Sequence, residues 1–144
     1  MAKMIFVNLP VTDLPKSMAF YEAIGFTNNP QFTNEQAAAM MWSEAIVVML
    51  LTHDFWKTFT TKVIPDAHVS AQVALCVNLD SRDEVDAIVD AAAAAGGKGD
   101  SSPAQDHGFM YQRSFEDPDG HAWEPMWMDP KVAAGEMPVE HQAA

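Results

Sequence analysis

The sequence carries one cysteine, Cys76, in 144 residues. A lone thiol closes no internal disulfide, so stability must come from a packed core, and its place in an apolar alternation predicts a small buried hydrophobe without a catalytic role. Basic residues are scarce as well: eight Lys and Arg stand against 20 Asp and Glu, a net charge of −12. A surface of that sign repels phosphate backbones and anionic headgroups, which argues against nucleic acid and against membranes as partners. Long apolar runs are missing. The longest strongly apolar stretch is Ala45 to Leu51, far short of the roughly 20 residues of a spanning helix. Met1 to Pro10 lacks the charged and apolar blocks of a signal peptide, so a cytoplasmic location is expected.

What is present is ample apolar material, 49% of the residues, in a chain the size of one domain. Ile5, Val7, Leu9 and Val11 alternate with Phe6 and Asn8 at the period of a strand. Asp13 then suits a helix N-cap with Pro15 in the first turn, Leu14, Met18 and Tyr21 keep helical spacing, and Gly25 ends the helix. Strands are predicted at 26–32, 36–43 and 45–52. The pattern begins again near residue 69: Val73, Leu75, Val77 and Leu79 alternate with Gln72, Ala74, Cys76 and Asn78. Ser81 and Glu84 have capping-box spacing, and Val85, Ile88, Val89 and Ala92 form a stripe that Gly96 and Gly97 terminate. Two more strands, 109–116 and 121–128, flank the turn sequence Asp117-Pro118-Asp119-Gly120.

The order βαβββ therefore occurs twice, which predicts an α+β domain over 1–129, with modules at about 3–52 and 69–128 and a tail, 130–144, without periodicity. One face of each opening strand is apolar enough to cover a helix, while the other carries Asn8 or Gln72. This suggests curved mixed sheets around a concave small-molecule cavity. A plain α+β sandwich in which Asn8 and Gln72 bond to backbone is the alternative.

Val11-Thr12-Asp13-Leu14, Ser17, Phe20-Tyr21 and Gly25-Phe26 in the first module, with Phe115-Glu116-Asp117-Pro118-Asp119-Gly120 and Glu124 in the second, resemble the vicinal oxygen chelate superfamily. That superfamily holds glyoxalase I, extradiol dioxygenases and bleomycin-resistance proteins, and the likeness covers about residues 4–128, on the lactoylglutathione-lyase-like branch. The resemblance implies paired modules around an open barrel-like cavity, a homodimer, and four His or Glu ligands around a divalent metal such as Zn, Ni or Mn. Those ligand positions fall on Phe6, Met49, Gln72 and Glu124, of which only Glu124 is an ordinary ligand. The metal centre reads as dismantled, and no cofactor is expected unless unusual ligands suffice. The histidines, His53, His68, His107, His121 and His141, show no metal-site spacing of their own.

If the hairpin closes tightly on Pro118 and Asp119, Arg113 stands opposite Glu124 and Tyr111 opposite Met126. Arg113 and Glu124 then form either an internal salt bridge or a site. In such a site Arg113 and Tyr111 hold an anionic or carbonyl group while Glu124 moves a proton as the candidate catalytic base. Pro125 suggests an edge or a bulge beside Glu124. Trp42 and Met126 are further candidates for the pocket wall, whereas Trp123 and Trp127 read as packing or dimer contacts. Three functions follow: binding of a small organic ligand without a metal, favoured for a cation by the acidic charge; a metal-dependent lactoylglutathione-lyase-type lyase or isomerase; and metal-free proton transfer by Glu124 and Arg113.

Overall fold

The computed structural model of the chain describes residues 2–136. The first module runs β1 (Ile5–Val11), α1 (Leu14–Ala23), β2 (Thr27–Asn29), β3 (Ala37–Met41) and β4 (Ile46–Thr52), with a 3₁₀ turn at Pro30–Phe32. A short helix, α2 (His53–Trp56), opens the connection to β5 (Ala74–Asn78) and α3 (Arg82–Ala94). The second module continues with β6 (Lys98–Gly99), β7 (Gln105–Asp106), β8 (Met110–Gln112), β9 (Phe115–Glu116) and β10 (Ala122–Met128), followed by α4 (Pro130–Ala133). In the first sheet the order is β1-β4-β3-β2, with β1 parallel to β4. In the second, β10 lies between a parallel β5 on one side and antiparallel β9 and β8 on the other. The result is the doubled α+β arrangement of curled sheets that the alternation predicted.

Both helices start where capping chemistry allows. Asp13 accepts a hydrogen bond from the Lys16 N–H at 3.1 Å, and Ser81 Oγ accepts from the Glu84 N–H at the same distance. Glu84 reaches back past the cap to the Asp80 N–H at 2.8 Å, so one donor of the first turn and one ahead of the cap are satisfied, in a variant of the capping box. The helix-side faces of both sheets bury one continuous core. Val11, Leu50, Phe20 and Tyr21 from the first module meet Val77, Ile88, Phe115 and Trp123 from the second.

The residues that carry the family resemblance turn out to join the two modules. The Tyr21 hydroxyl donates to Asp117 Oδ2 at 2.7 Å and accepts from the Trp123 indole N–H at 3.1 Å. Asp117 Oδ1 accepts the backbone N–H groups of Asp119 (3.0 Å) and His121 (2.8 Å). Asp119 in turn takes the N–H and hydroxyl of Thr12 at 3.0 and 2.8 Å, and Ser17 Oγ at 3.4 Å. Burial pushes the Asp117 carboxyl up, while the nearby His121 and the Tyr21 hydroxyl work against that rise. Tyr21 is driven well above the usual phenol range by its own burial and then by the Asp117 charge. Gly97 is another point of close approach, since a Cβ there would run into Glu116 O and lie 2.7 Å from the Phe20 ring.

Several expectations need correction. Gly120 has φ +90°, its N–H donates to Asp117 O, and the Asp117 N–H donates to His121 O. The hairpin therefore has three loop residues, a turn followed by a left-handed glycine, rather than two. Trp123 consequently pairs with Phe115, Ala122 with Glu116 and Met126 with Gln112, one residue out of the expected register, and a slip of one exchanges the faces. The predicted strand 109–116 divides into β8 and β9, interrupted at Arg113 and Ser114. Pro125 lies on a central strand, paired with Val77, and not at an edge. Its missing N–H falls beside that interruption, although its carbonyl still accepts from the Arg113 N–H at 3.2 Å. The strand predicted at 26–32 ends at Asn29, where Pro30 starts the 3₁₀ turn. The tail begins with α4, capped by Asp129; residues 137–144, including His141, lie outside the described part.

Candidate functional site

Alternation decides which side chains can meet a ligand. On the face of β1 turned from the helix, Phe6 and Asn8 stand beside Val47 and Met49 of β4. Phe6 is 58% exposed, a large apolar ring left uncovered. On the matching face of β10, Glu124 lies beside Cys76 of β5, and Met126 lies between Asn78 and Gln112. Gln112 Nε2 donates to Glu124 Oε2 at 3.0 Å.

Cys76 is exposed, contrary to the expectation of burial. It alternates with Leu75 and Val77, and those two residues take the helix side. Its partial burial and then the Glu124 charge raise the thiol above its ordinary value, so at neutral pH it is a protonated, weakly reactive group.

A cleft of about 210 Å³ lies between β1 and β5, the edge strands of their sheets. Asn8 and Pro10 wall it on one side, Gln72 on the other, with Trp56 of α2, His121 and Ala122 completing the lining. His121 Nε2 stands 2.8 Å from Pro10 O. A carbonyl oxygen only accepts, so Nε2 carries the proton and donates. The side chains of Asn8, Ser70 and Gln72 and the Trp56 indole N–H make no hydrogen bond to any described residue. Ala122 belongs to the same face of β10 as Glu124, two residues away, which places the cleft beside the Glu124 surface.

The predicted site residues therefore fall into three places. Asn8 and Gln72 are brought together in the cleft, and Glu124 and Met126 share the neighbouring face. Tyr111, Arg113 and Trp42 leave the site altogether. The register slip turns Arg113 to the helix side of the sheet, where it pairs with Asp86 at 2.8 Å and Asp100 at 2.7 Å. The Tyr111 hydroxyl donates to the same Asp86 at 2.7 Å, and that bond, with Arg113, holds Asp86 below the usual carboxylate range. No Arg113–Glu124 pair exists, and proton transfer by that pair is ruled out. Trp42 packs its ring 5.2 Å from Phe26, in a groove with Ile24 and Leu79. Trp127 stacks under the Arg82 guanidinium, 5.2 Å from the ring centre, and Trp123 is core. Three site residues escaped the sequence reading: Gln112, Trp56 and His121. Counting three loop residues would have placed Gln112 on the Glu124 face; no periodicity marks Trp56 in its connecting segment.

The four positions to which the resemblance assigns metal ligands do not carry side chains suited to a divalent cation. Phe6 has no donor atom, Met49 offers a thioether unsuited to hard or borderline ions, and Gln72 offers a neutral amide oxygen. Glu124 is the one anionic oxygen donor among them, and it already accepts from Gln112. Among the described residues, no group of three His, Cys, Asp or Glu is placed to hold a metal ion. No described helix is long and apolar enough to cross a membrane.

The doubled βαβββ frame, its Tyr21–Asp117 joint and the open face between the modules define a class of paired-module α+β proteins. The profile of the Glyoxalase/Bleomycin resistance protein/Dioxygenase superfamily matches residues 3–124, and the chain belongs to that superfamily. No curated protein matches the sequence. Among solved structures, the hypothetical protein SA1046 from S. aureus is 26% identical, with a TM-score of 0.73, over 88% of this chain and 94% of the other. A glyoxalase/bleomycin resistance protein/dioxygenase family enzyme from Burkholderia phytofirmans PsJN is 19% identical, with a TM-score of 0.71, over 88% and 99%. The genomically encoded fosfomycin resistance protein FosX from Listeria monocytogenes shares 15% identity and a TM-score of 0.62 over 99% and 96%. The latter two show the common fold alone.

Proposed function

We propose that this chain binds a small organic molecule without a metal centre, in the cleft between β1 and β5 and on the adjoining Glu124 face. The observation that carries this reading is the presence of Phe6, Met49 and Gln72 at the positions the resemblance assigns to ligands, beside a cleft whose amide and indole groups have no hydrogen-bond partner among the described residues. A pocket with apolar walls and a few unspent polar groups is the usual form of a small-molecule site. Glu124 then acts as a hydrogen-bond acceptor oriented by Gln112, rather than as a metal ligand or as half of an acid–base pair with Arg113.

The exposed Met4, Ile5 and Phe6 near the start of β1, with Val73 before β5 at 63% exposure, support association of two copies along these edges, as a cytoplasmic homodimer. Exposed apolar side chains on strand edges favour protein contact.

Calorimetric titration of Mn, Ni and Zn into chelator-treated protein, beside Glu124→Ala, tests the metal-free reading. No tight site that depends on Glu124 is expected. One tight site per chain that vanishes in the variant would overturn the proposal and favour a lactoylglutathione-lyase-type activity, which turnover of the methylglyoxal–glutathione adduct would then report.

A further inference from the structure

The cleft between β1 and β5 differs from the rest of this chain in charge. The protein has 20 acidic residues, yet the cleft lining contains no Asp, Glu, Lys or Arg, and His121 is its single titratable member. A charged ligand placed there would find no side chain of opposite formal charge in the lining. The net charge of −12 thus attracts cations to the surface in general, but the cleft holds no carboxylate to pair with one.

What the cleft offers instead is paired hydrogen-bonding capacity. Asn8 of β1 and Gln72, just ahead of β5, both line it, and each carboxamide presents a donor and an acceptor together. Trp56 supplies a flat apolar face and Ser70 a hydroxyl. His121 spends its Nε2–H on Pro10 O. The complement of a carboxamide is an adjacent N–H and C=O, as in a cyclic amide, and the complement of an indole face is another ring.

We infer that the cleft binds a neutral, planar heterocycle carrying a lactam edge, recognised by the Asn8 and Gln72 carboxamides and stacked against Trp56. This inference rests on the cleft being the ligand site, and the test separates the two. The volume of about 210 Å³ lies below the range of drug-sized pockets, roughly 300–1,000 Å³, and suits one or two fused rings.

Saturation-transfer NMR on the full chain with four bicyclic probes of similar size decides the matter: 2-quinolone, N-methyl-2-quinolone, quinoline-2-carboxylate and N-methylquinolinium. The expected result is binding of 2-quinolone, at least about tenfold weakening on N-methylation because a carboxamide acceptor loses its donor, and no saturation of either ion. Gln72→Leu and Trp56→Leu should each weaken 2-quinolone, while Arg113→Met, on the other side of the sheet, should leave it unchanged. Gln72 is exposed, so its variant keeps the fold even where Trp56→Leu does not. If either ion binds as tightly as 2-quinolone and with the same sensitivity to Gln72→Leu, the lactam assignment is overturned and the cleft stands as the site. If no probe responds to Gln72→Leu, both the assignment and the cleft fall.

Discussion

Replacing Tyr21 by Phe removes one oxygen from the joint between the modules and leaves two groups without partners. Asp117 Oδ2 loses the hydroxyl donor at 2.7 Å, and the Trp123 indole N–H loses its acceptor at 3.1 Å. Asp117 and Trp123 are each 2% exposed, so water does not replace what is lost. An unsatisfied buried polar group costs about 1–3 kcal/mol. Two of them, less the desolvation that the phenol itself no longer suffers, give a loss of roughly 2–5 kcal/mol, or a fall in Tm of roughly 5–15 °C for a chain of this size. The pH dependence gives a sharper check. Burial already raises the Asp117 carboxyl, and the Tyr21 hydroxyl partly counters that rise. A carboxyl raised in the folded state stabilises when protonated and loses that contribution as pH increases through its folded value. Tyr21→Phe raises it further, so the variant should be most destabilised near neutrality and approach the wild type as the pH falls through the Asp117 titration. Urea unfolding at several pH values measures this. A loss below about 0.5 kcal/mol at pH 7, or one that does not change with pH, would refute the assignment of the network as a buried, charge-bearing joint.

Gly97→Ala should lower stability by about 2 kcal/mol or more, because the added Cβ meets Glu116 O and the Phe20 ring in a packed region; a urea midpoint within error of wild type would show that the site can yield. Arg113→Met should leave ligand binding intact and reduce stability by about 1 kcal/mol, as expected for a partly exposed ion-pair network, with the loss shrinking at high salt; a change in ligand affinity would return Arg113 to the site. Asp86 and Asp100 are both held below the ordinary carboxylate range, Asp86 chiefly by the Tyr111 hydroxyl and Asp100 by the Arg113 guanidinium. Their contribution should be present above that range and lost as pH falls through the lowered values, and an Arg113→Met variant should lose the Asp100 part of this acid limb while keeping the part that the Tyr111 hydroxyl gives Asp86. Cys76 should react slowly with thiol reagents at pH 7 and faster in Glu124→Gln, since the carboxylate helps hold the thiol protonated; equal rates would remove Glu124 from its surroundings.

Much of the frame was legible because it rests on short-range chemistry. The Asp13 and Ser81 caps, the glycine stops and the first opening strand each state their role within a few residues and appear where expected, while the second opening strand is shorter than its alternation, starting at Ala74 and leaving Gln72 ahead of it. The site was less legible because it depends on a count. Asp-Pro-Asp-Gly fits a two-residue or a three-residue loop, and only the left-handed Gly120, φ +90°, selects the latter. That single residue moves Arg113 and Tyr111 to the helix side and puts Gln112, not Arg113, against Glu124. Cys76 illustrates the same limit, since an alternating strand says which residues share a face but not which face meets solvent. Trp56 was out of reach, as its position is fixed by how the connection after β4 folds back over β1.

The two sets of family positions differ in what the fold asks of them. Tyr21, Asp117, Asp119 and Thr12 are occupied with one another, in a network that closes the angle between the modules, and no atom of the Tyr21–Asp117–Trp123 set is left over for a ligand. Phe6, Met49, Gln72 and Glu124 lie outside the helix-side core, on the opposite strand parity or just ahead of β5, where a change of side chain leaves the buried network untouched. A sequence can therefore carry the residues that announce this fold while the positions the resemblance assigns to metal ligands hold an aromatic ring, a thioether and an amide. The physical consequence is that the recognisable motifs report mainly architecture, and the chemistry must be read largely from residues outside them: the Asn8 and Gln72 amides, the Trp56 ring, and Gln112 beside Glu124.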